Sequence, residues 1–324
     1  MLPASHAGAA PDPVIKVNGL KHTYDGKKYA LKGVDFEVRK GEVFGLLGKN
    51  GAGKSTLIKI LTTLIRASEG SVSILGMDPS KDGTSIRKRI GVVQQDESFD
   101  FTTVQGNFDV YGVLWGVPAS ERVKRREELL KKFGLDEIRK KRAFDLSGGQ
   151  KRRVQVAREL IHDVDVLFLD EPTVGLGGIM RRQLLDFVKA EVGRGLTVVF
   201  TTHNLEEADY LCDRVAVIDE GKILVMDTVD NLKNLYRGKR AIEVTVESSG
   251  AERFYLRLSD ALGVRGSVKR GEGSAVILSD SPKDALATIL AVARETDSQI
   301  EWLNVRKDTL EDVFIDSVSK EGNN

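Results

Sequence analysis

The first two thirds of the chain alternates short apolar runs with longer segments in which apolar residues recur at helical spacing. Three of the short runs fit buried strands: residues 42–47, 164–169 and 196–202. Apolar residues recur at helical spacing over 57–64, and the charged region 103–160 has a mostly helical pattern. This alternation predicts α/β units around a parallel sheet.

The pattern changes beyond a polar stretch at about 227–239. The elements predicted after it are a strand at 241–247, a helix at 251–262, a hairpin of 264–269 with 275–279, a helix at 284–294 and a strand at 300–305. Their β-α-β-β-α-β order is the ferredoxin-like pattern. The boundaries we expect are a disordered leader over 1–13, a first domain over 14–228, a linker over 229–240, a second domain over 241–316 and a flexible tail over 317–324.

Composition narrows the classes of partner. A chain of 324 residues with 41% hydrophobic content is long enough for two domains with cores of their own. The 49 Lys and Arg balance 48 Asp and Glu, so no net charge favours nucleic acid as the partner. The single cysteine, Cys212, excludes an internal disulfide and fits a reducing compartment. No segment approaches the roughly 20 apolar residues that cross a bilayer, so any membrane span belongs to another chain.

A glycine-rich segment follows the first apolar run and opens the first helical segment. Its sequence, Gly48-Lys49-Asn50-Gly51-Ala52-Gly53-Lys54-Ser55, has the spacing of a phosphate-binding P-loop. Glycines let backbone N–H groups surround phosphate oxygens, Lys54 brings a positive charge to the outer phosphates, and the Ser55 hydroxyl is suited to ligate Mg²⁺. The residues expected to bind nucleotide here are Gly48, Asn50, Gly51, Ala52, Gly53, Lys54, Ser55 and Thr56.

An acidic pair follows the second apolar run. Asp170 stands at the predicted carboxyl end of that strand, and Glu171 comes directly after it. We expect Asp170 to hold the hydration shell of Mg²⁺ and Glu171 to polarise the attacking water as a general base. Together with the P-loop, this pair predicts hydrolysis of a nucleoside triphosphate.

A pentapeptide between these two motifs carries a family resemblance. Leu146-Ser147-Gly148-Gly149-Gln150 resembles the signature of ABC ATPases, and the likeness covers about residues 14–228. The resemblance implies that this helix start contacts the γ-phosphate of ATP held by a partner subunit, so that two subunits enclose two nucleotides. It also implies an α/β P-loop NTPase fold with a β-subdomain, a RecA-like core and a helical subdomain, followed here by the small α+β domain.

Other positions match the family in order. By this resemblance, Tyr24 would lie in a strand before the P-loop and stack on adenine, and Gln95 would reach Mg²⁺ and sense the transmembrane partner. His203 would contact the γ-phosphate and act with Glu171 in catalysis. The implied metal ligands are Ser55, Gln95 and Asp170. The segment after Gln95 is where the family docks its permease, and we expect Phe99 and Phe101 to contact it.

Within the family, the chain looks most like ATPases of ABC-2-type exporters, including those that confer drug resistance. The matching segments are 145–153, 171–176 and 309–314. This implies an ATP-hydrolysing subunit that powers export through a separate membrane-spanning permease. It would work as a homodimer, or as a heterodimer with a second ABC ATPase, on the cytoplasmic face of the cell membrane.

One departure and three alternatives stay open. Gly177-Gly178 stands where the family usually has an Asp, often followed by Pro, which puts efficient hydrolysis in doubt but not ATP binding. An importer ATPase with a ligand-regulated C-terminal domain fits the same motifs. A non-transport ABC ATPase acting on nucleic acid or the ribosome is disfavoured, because residues 55–146 leave no room for a long coiled coil and only one cassette is present. A regulatory module without hydrolysis is disfavoured because Glu171 and His203 are both present.

Overall fold

The computed structural model describes residues 13–95, 102–234, 240–247, 251–262, 267–270, 274–279 and 281–306. They fall into two compact units, Met1–Ile223 and Leu224–Asn324. Several features named above lie outside the described residues: positions 1–12 of the leader, the pair Phe99 and Phe101, the segment 309–314 and the tail 317–324. No helix in the described ranges is both long and apolar enough to cross a bilayer.

A mostly parallel sheet forms the centre of the first unit, and its last strand in sequence continues past Ile223. Its strands are β3 Val43–Leu47, β5 Ile90–Val93, β6 Val166–Asp170, β7 Thr197–Thr202, β8 Arg214–Asp219 and β9 Lys222–Thr228, in the order β5-β6-β7-β3-β8-β9. Strand β3 pairs in parallel with β7 and β8, and β6 pairs in parallel with β5 and β7. Every residue of β3, β6 and β7 is buried, as in sheets covered on both faces. The predicted α/β core is confirmed.

A smaller antiparallel sheet precedes and follows the P-loop in sequence. It consists of β1 Ile15–Thr23, β2 Tyr29–Val38 and β4 Glu69–Ile74, in the order β2-β1-β4. Burial alternates along most of β2, with Val34, Phe36 and Val38 facing inward. The Phe36 ring stacks on Phe44 of β3 at a centroid distance of 5.1 Å, which joins the small sheet to the central one.

The helices of the first unit lie between its strands in sequence. They are α1 Lys54–Leu61, α2 Gly83–Arg87, α3 Val104–Leu114, α4 Ala119–Lys132, α5 Gly148–Glu159, α6 Gly178–Val192 and α7 Leu205–Leu211, with 3₁₀ turns at Asp136–Ile138 and Ala143–Asp145. Fully buried Phe108, Leu130 and Val154 belong to α3, α4 and α5, which pack against one another. Charged residues of this region pair with each other, as Arg126 does with Asp109 and Glu127, and Arg139 with Glu127. Arg139 and Arg126 thereby lower the pKa of Glu127 to about 2.

The second unit has the predicted ferredoxin-like order. After helix α8 Val229–Asn234 come β10 Arg240–Val246, α9 Ala251–Leu262, β11 Ser267–Arg270, β12 Ser274–Ser279, α10 Pro282–Thr296 and β13 Ile300–Arg306. The strands form an antiparallel sheet in the order β11-β12-β10-β13. Ile242 and Val244 of β10 form a core with Phe254 of α9 and Ile289 of α10. Residues 229–234 of the expected linker 229–240 form helix α8, whose Leu232 is fully buried.

A buried carboxylate near the end of α5 joins this helix to β5. The Glu159 carboxylate accepts a hydrogen bond from the Val92 N–H at 3.3 Å and lies 3.7 Å from the Arg158 Nε. The helix can approach because β5 has Gly91, where a Cβ would lie 3.2 Å from the Glu159 Cβ and 2.9 Å from the Leu167 Cδ1. Burial raises the pKa of Glu159 to about 7, although the Arg158 charge and the Val92 hydrogen bond oppose the shift.

We expect Glu159→Gln to remove a pH dependence of stability. The folded chain keeps the Glu159 proton where the unfolded chain has lost it, because the pKa rises from 4.5 to about 7 on folding. The free energy of unfolding therefore falls as the pH rises through this window, by up to about 3 kcal/mol. The stability of the variant relative to that of the wild type should therefore increase as the pH rises from about 5 to about 8.

Urea unfolding at these two pH values measures the effect. Trp115 fluorescence in a Trp302→Phe background restricts the signal to the first unit. Glu128→Gln, which removes an exposed carboxylate from α4, is the matched control and should follow the wild type. The same pH dependence in the wild type and in Glu159→Gln would show that the buried carboxyl does not carry the effect.

Candidate active site

The P-loop connects the end of β3 to the start of α1 in a conformation that needs glycine. Gly51 and Gly53 have φ values of +84° and +112°, and Gly53 is the N-cap of α1. A Cβ at Gly48 would collide with the carbonyl oxygen of Ile218 on β8. The loop therefore lies against the sheet and leads its backbone amides to a helix N-terminus, the arrangement that binds phosphate.

The Lys54 ammonium lies inside this loop. Its side chain is 4% exposed, and its Nζ donates to the carbonyl oxygens of Gly48 at 2.7 Å and Lys49 at 3.1 Å. The same Nζ lies 3.0 Å from the Glu171 Oε1. The ion pair joins the P-loop to the segment that follows β6.

Thr201 organises the end of β6. Its Oγ1 donates to the Asp170 Oδ1 at 2.6 Å and accepts from the Glu171 N–H at 2.9 Å. Glu171 has a φ of +45°, a left-handed conformation that costs a non-glycine residue about 1–3 kcal/mol. The neighbouring strand therefore holds the acidic pair in a strained turn through the Thr201 hydroxyl and through the Thr201 carbonyl oxygen, which accepts from the Glu171 N–H at 3.2 Å.

His203 completes a group of three side chains at this edge of the sheet. It follows the end of β7, and its Nδ1 lies 3.2 Å from the Glu171 Oε2. One Glu171 oxygen thus faces Lys54 and the other faces His203. Such a carboxylate is suited to accept a proton from water, while the two basic groups are suited to bind an anion.

Tyr24 lies just after β1, which ends at Thr23, so its predicted position within a strand is wrong. The strand ends there because residues 23–28 form a turn in which Asp25 accepts from the N–H groups of Lys27 and Lys28. The Tyr24 side chain is 63% exposed, and its hydroxyl lies 3.2 Å from the Thr56 Oγ1. It lines an open cavity of about 450 Å³ that reaches Gly51 of the P-loop. A planar base beside the phosphate loop fits this position.

The signature segment forms a capped helix start. Ser147 is the N-cap of α5, its Oγ accepts from the Gln150 N–H at 3.4 Å, and the Gln150 Oε1 accepts from the Ser147 N–H at 3.1 Å. Leu146 is buried before the cap, whereas Ser147 and Gly148 are exposed. Gly149 is buried, and a Cβ there would lie 3.0 Å from the Met180 Cε. In the part of the chain that the structure describes, no hydrogen bond or ion pair joins Ser147 or Gln150 to the group of Lys54, Glu171 and His203.

Gln95 lies two residues beyond β5 with an exposed side chain. Arg152 of α5 holds its backbone, because the guanidinium donates to the carbonyl oxygens of Gln94 at 2.7 Å and Gln95 at 2.9 Å. Sequence reasoning missed both Arg152 and Thr201. The available signals were the place of Arg152 in the segment that follows the signature and the place of Thr201 two positions before His203.

Gly177 and Gly178 are not required by the backbone. Gly177 is the N-cap of α6 with an ordinary φ of −65°, and no side chain caps this helix. A Cβ at either glycine would meet no atom within 4 Å. The conformation and the space therefore both admit an aspartate at position 177.

Comparisons with known proteins agree with this geometry. The sequence profile of the ABC transporter family matches residues 31–174. The chain is 36% identical over 305 residues to the daunorubicin resistance ATP-binding protein DrrA3 of Streptomyces coeruleorubidus, an alignment that covers 94% of this chain and 95% of that protein.

Two solved structures resemble about two thirds of the chain. One is cbiO1 from Clostridium perfringens, part of the ABC transporter complex cbiONQ, with a TM-score of 0.64, 31% identity, and coverage of 70% of this chain and 94% of that one. The other is the dimeric post-hydrolysis state of the ATP-binding cassette MJ0796 bound to ADP and Pi. It has a TM-score of 0.61, 28% identity, and coverage of 66% and 98%.

We expect Gly177→Asp to raise the basal rate of ATP hydrolysis. An aspartate N-cap can accept from the free N–H groups of the first turn of α6 and would fix the loop that follows Glu171. The same cap should stabilise the chain by a few tenths of a kcal/mol, roughly the difference between Gly and Asp at an N-cap.

Turnover of the purified chain and its melting temperature are the measurements. Gly178→Ala is the matched control, because it adds a Cβ in equally open space without a carboxylate. A turnover of Gly177→Asp equal to or below that of the wild type would contradict the expectation.

Proposed function

The chain belongs to the ATP-binding subunits of ABC transporters, and we propose that it is the ATPase of an exporter, working as a dimer on a separate membrane-spanning permease. The proposed ATPase activity rests on one observation, the contact of Glu171 with both Lys54 and His203 at the P-loop. Lys54 binds the outer phosphates, Glu171 accepts a proton from the attacking water, and His203 contacts the γ-phosphate. The likeness to a drug-resistance ATP-binding protein along almost the whole chain supports export.

Mg²⁺ fits the donor atoms at this site. Ser55 is the second residue of α1 and has a hydroxyl, and Asp170 ends β6 with a carboxylate, so both offer the hard oxygen ligands that Mg²⁺ prefers. Gln95 is the third ligand we propose. Within the described residues no cluster of three His, Cys, Asp or Glu side chains could hold a metal. When bound with the nucleotide at Ser55, Asp170 and Gln95, Mg²⁺ would supply positive charge that offsets the negative charge of the phosphates.

A second subunit completes each nucleotide site. The start of α5 is exposed at Ser147 and Gly148, and the helix dipole and the backbone N–H groups of the first turn favour an anion there. Among the residues that the structure describes, no hydrogen bond or ion pair joins Ser147 or Gln150 to the catalytic group, so this helix start is suited to the γ-phosphate held by the other subunit. The dimeric state of the ADP-bound relative supports this arrangement.

A cleft beside Gln94 is the surface that we assign to the permease. Its volume is about 320 Å³, and its lining includes apolar and aromatic side chains of β5, of α3 and of the segment that follows α1. Leu64 and Leu114 are 53% and 67% exposed there. Exposed apolar side chains around a cleft favour the apolar face of a partner helix. Docking here would hold the chain as a peripheral subunit on the cytoplasmic face of the membrane.

We expect Glu171→Gln to abolish turnover while keeping ATP binding. An amide cannot accept the proton, and loss of a general base costs typically about 10²- to 10⁴-fold in rate. The binding groups of the P-loop are unchanged, so a fluorescent ATP analogue should bind as it does to the wild type, and the ATP-bound dimer should accumulate in light scattering.

Glu206→Gln is the matched control, because it removes an exposed carboxylate from the first turn of α7. It should hydrolyse ATP at the wild-type rate. Full turnover by Glu171→Gln would exclude Glu171 as the base.

We expect substitutions of exposed apolar residues in the cleft to abolish binding of the permease. An affinity pull-down of the tagged chain from detergent-solubilised native membranes should recover a polytopic membrane protein. Leu64→Ser combined with Leu114→Ser should lose this partner, because polar side chains remove the apolar contact, while ATP affinity is unchanged. Val123→Ser, an equally exposed position on α4, is the control. Recovery of ribosomal or DNA-bound proteins without a membrane partner would overturn the transport assignment.

A further inference from the structure

Glu207 is a buried carboxylate that the chemistry described above does not use. It lies in the first turns of α7, shortly after His203, and its side chain is only 3% exposed. A charged group removed from water to this extent must be paired and hydrogen-bonded to be tolerated. Its partners therefore show what the carboxylate holds together.

Three segments of the chain meet at this carboxylate. The Glu207 Oε2 accepts from the Thr202 Oγ1 and from the Thr173 Oγ1, both at 2.8 Å. The Glu207 Oε1 faces the Arg181 Nε at 3.2 Å. Arg181 also donates from Nη2 to the carbonyl oxygen of Leu176 at 3.5 Å.

Each partner adjoins a part of the candidate active site. Thr202 precedes His203, and Thr173 comes two positions after Glu171. Arg181 stands in the first turn of α6, just after the Gly177-Gly178 pair. One carboxylate thus closes both ends of the loop 173–181 and ties that loop to the end of β7.

Backbone hydrogen bonds hold the first half of the loop, from the Val174 N–H to the Glu171 carbonyl oxygen at 3.3 Å and from the Leu176 N–H to the Thr173 carbonyl oxygen at 3.1 Å, whereas its second half is rich in glycine. Gly175 has a φ of +77°, and Gly177 and Gly178 have no side chains that could bond to the surrounding backbone. No side chain caps α6. The position of the loop relative to Glu171 and His203 therefore depends strongly on how its ends are held.

We propose that Glu207 is a positioning residue for ATP hydrolysis, which fixes Glu171 and His203 relative to each other and anchors the loop 173–181 through Arg181. Arg181 thereby supplies a side-chain anchor at the start of α6 that Gly177 cannot provide. The inference rests on the roles proposed above for Glu171 and His203. It concerns geometry at the reacting groups and not nucleotide affinity, because Glu207 has no bond to Lys54, Ser55 or Tyr24.

Glu207→Gln isolates the ionic contact. A glutamine oxygen can still accept from the two threonine hydroxyls, but its amide N–H groups would face the Arg181 guanidinium. We expect kcat to fall about 10- to 100-fold, the effect of a misplacement of about 1 Å at reacting groups, with an unchanged KM for ATP. Arg181→Gln should behave in the same way. The double variant should lose less than the product of the two single effects, because two amides can pair.

The controls separate positioning from folding. Arg182→Gln removes the neighbouring arginine of α6, which pairs with Asp186, and should keep the wild-type kcat. Thr202→Val removes one hydroxyl and leaves the contact between Glu207 and Arg181, so it supplies a second variant if Glu207→Gln does not fold. It should lower kcat, and a melting temperature well above the assay temperature would show that the variant is folded, although the lost hydroxyl also bonds the Asn204 N–H at 2.9 Å.

Three outcomes would overturn the proposal: a wild-type kcat in both Glu207→Gln and Thr202→Val, a raised KM with an unchanged kcat, or a double variant with the full product of the single effects. Glu171→Gln, assayed in parallel, distinguishes the two levels of inference. If Glu171→Gln is inactive while Glu207→Gln turns over normally, only the positioning role fails. If Glu171→Gln is active, the proposed base itself is wrong.

Discussion

The ion pair between Lys54 and Glu171 is the contact on which the rest of the site depends. Both groups are almost fully buried, and a buried charge is tolerated only when it is paired and hydrogen-bonded. The pair forms because β3 and β6 are parallel strands of one sheet, so their carboxyl ends lie at the same edge. The P-loop carbonyl oxygens of Gly48 and Lys49 take the remaining hydrogen bonds of the ammonium. The lysine proposed to bind phosphate and the carboxylate proposed to accept the proton are therefore in direct contact.

Residues of strand β7, of helix α7 and of the turn between them hold Glu171 in place. Thr201 bonds both members of the acidic pair, Thr202 bonds Glu207, and His203 reaches Glu171. Three consecutive residues therefore support a turn in which Glu171 keeps a strained backbone. Strain of this kind persists only where the surroundings overdetermine it, as hydrogen bonds from a neighbouring strand do here.

Helix α5 joins the other parts of the site. It begins at the exposed Ser147 cap, Arg152 bonds the backbone at Gln94 and Gln95, and Glu159 accepts from Val92. Arg152 thus donates to backbone carbonyl oxygens and Glu159 accepts from a backbone N–H group, both on the segment that runs from β5 to Gln95. Because Val92, Gln94 and Glu159 also line the apolar cleft, a partner bound there would touch the residues that connect the cleft to the signature helix.

The sequence by itself determined the parts that depend on local pattern and short spacing. The buried strands that end at Leu47 and Asp170, the glycines of the P-loop and the β-α-β-β-α-β order of the second unit are visible because periodicity and turn chemistry act over a few residues. Only the tertiary structure decided that Tyr24 lies beyond its strand and that Glu171 lies between Lys54 and His203. It also decided that Arg152, Thr201 and Glu207 support the site. These contacts join residues far apart in the chain, and the burial that gives a lone charge or hydroxyl its importance exists only once the strands have paired.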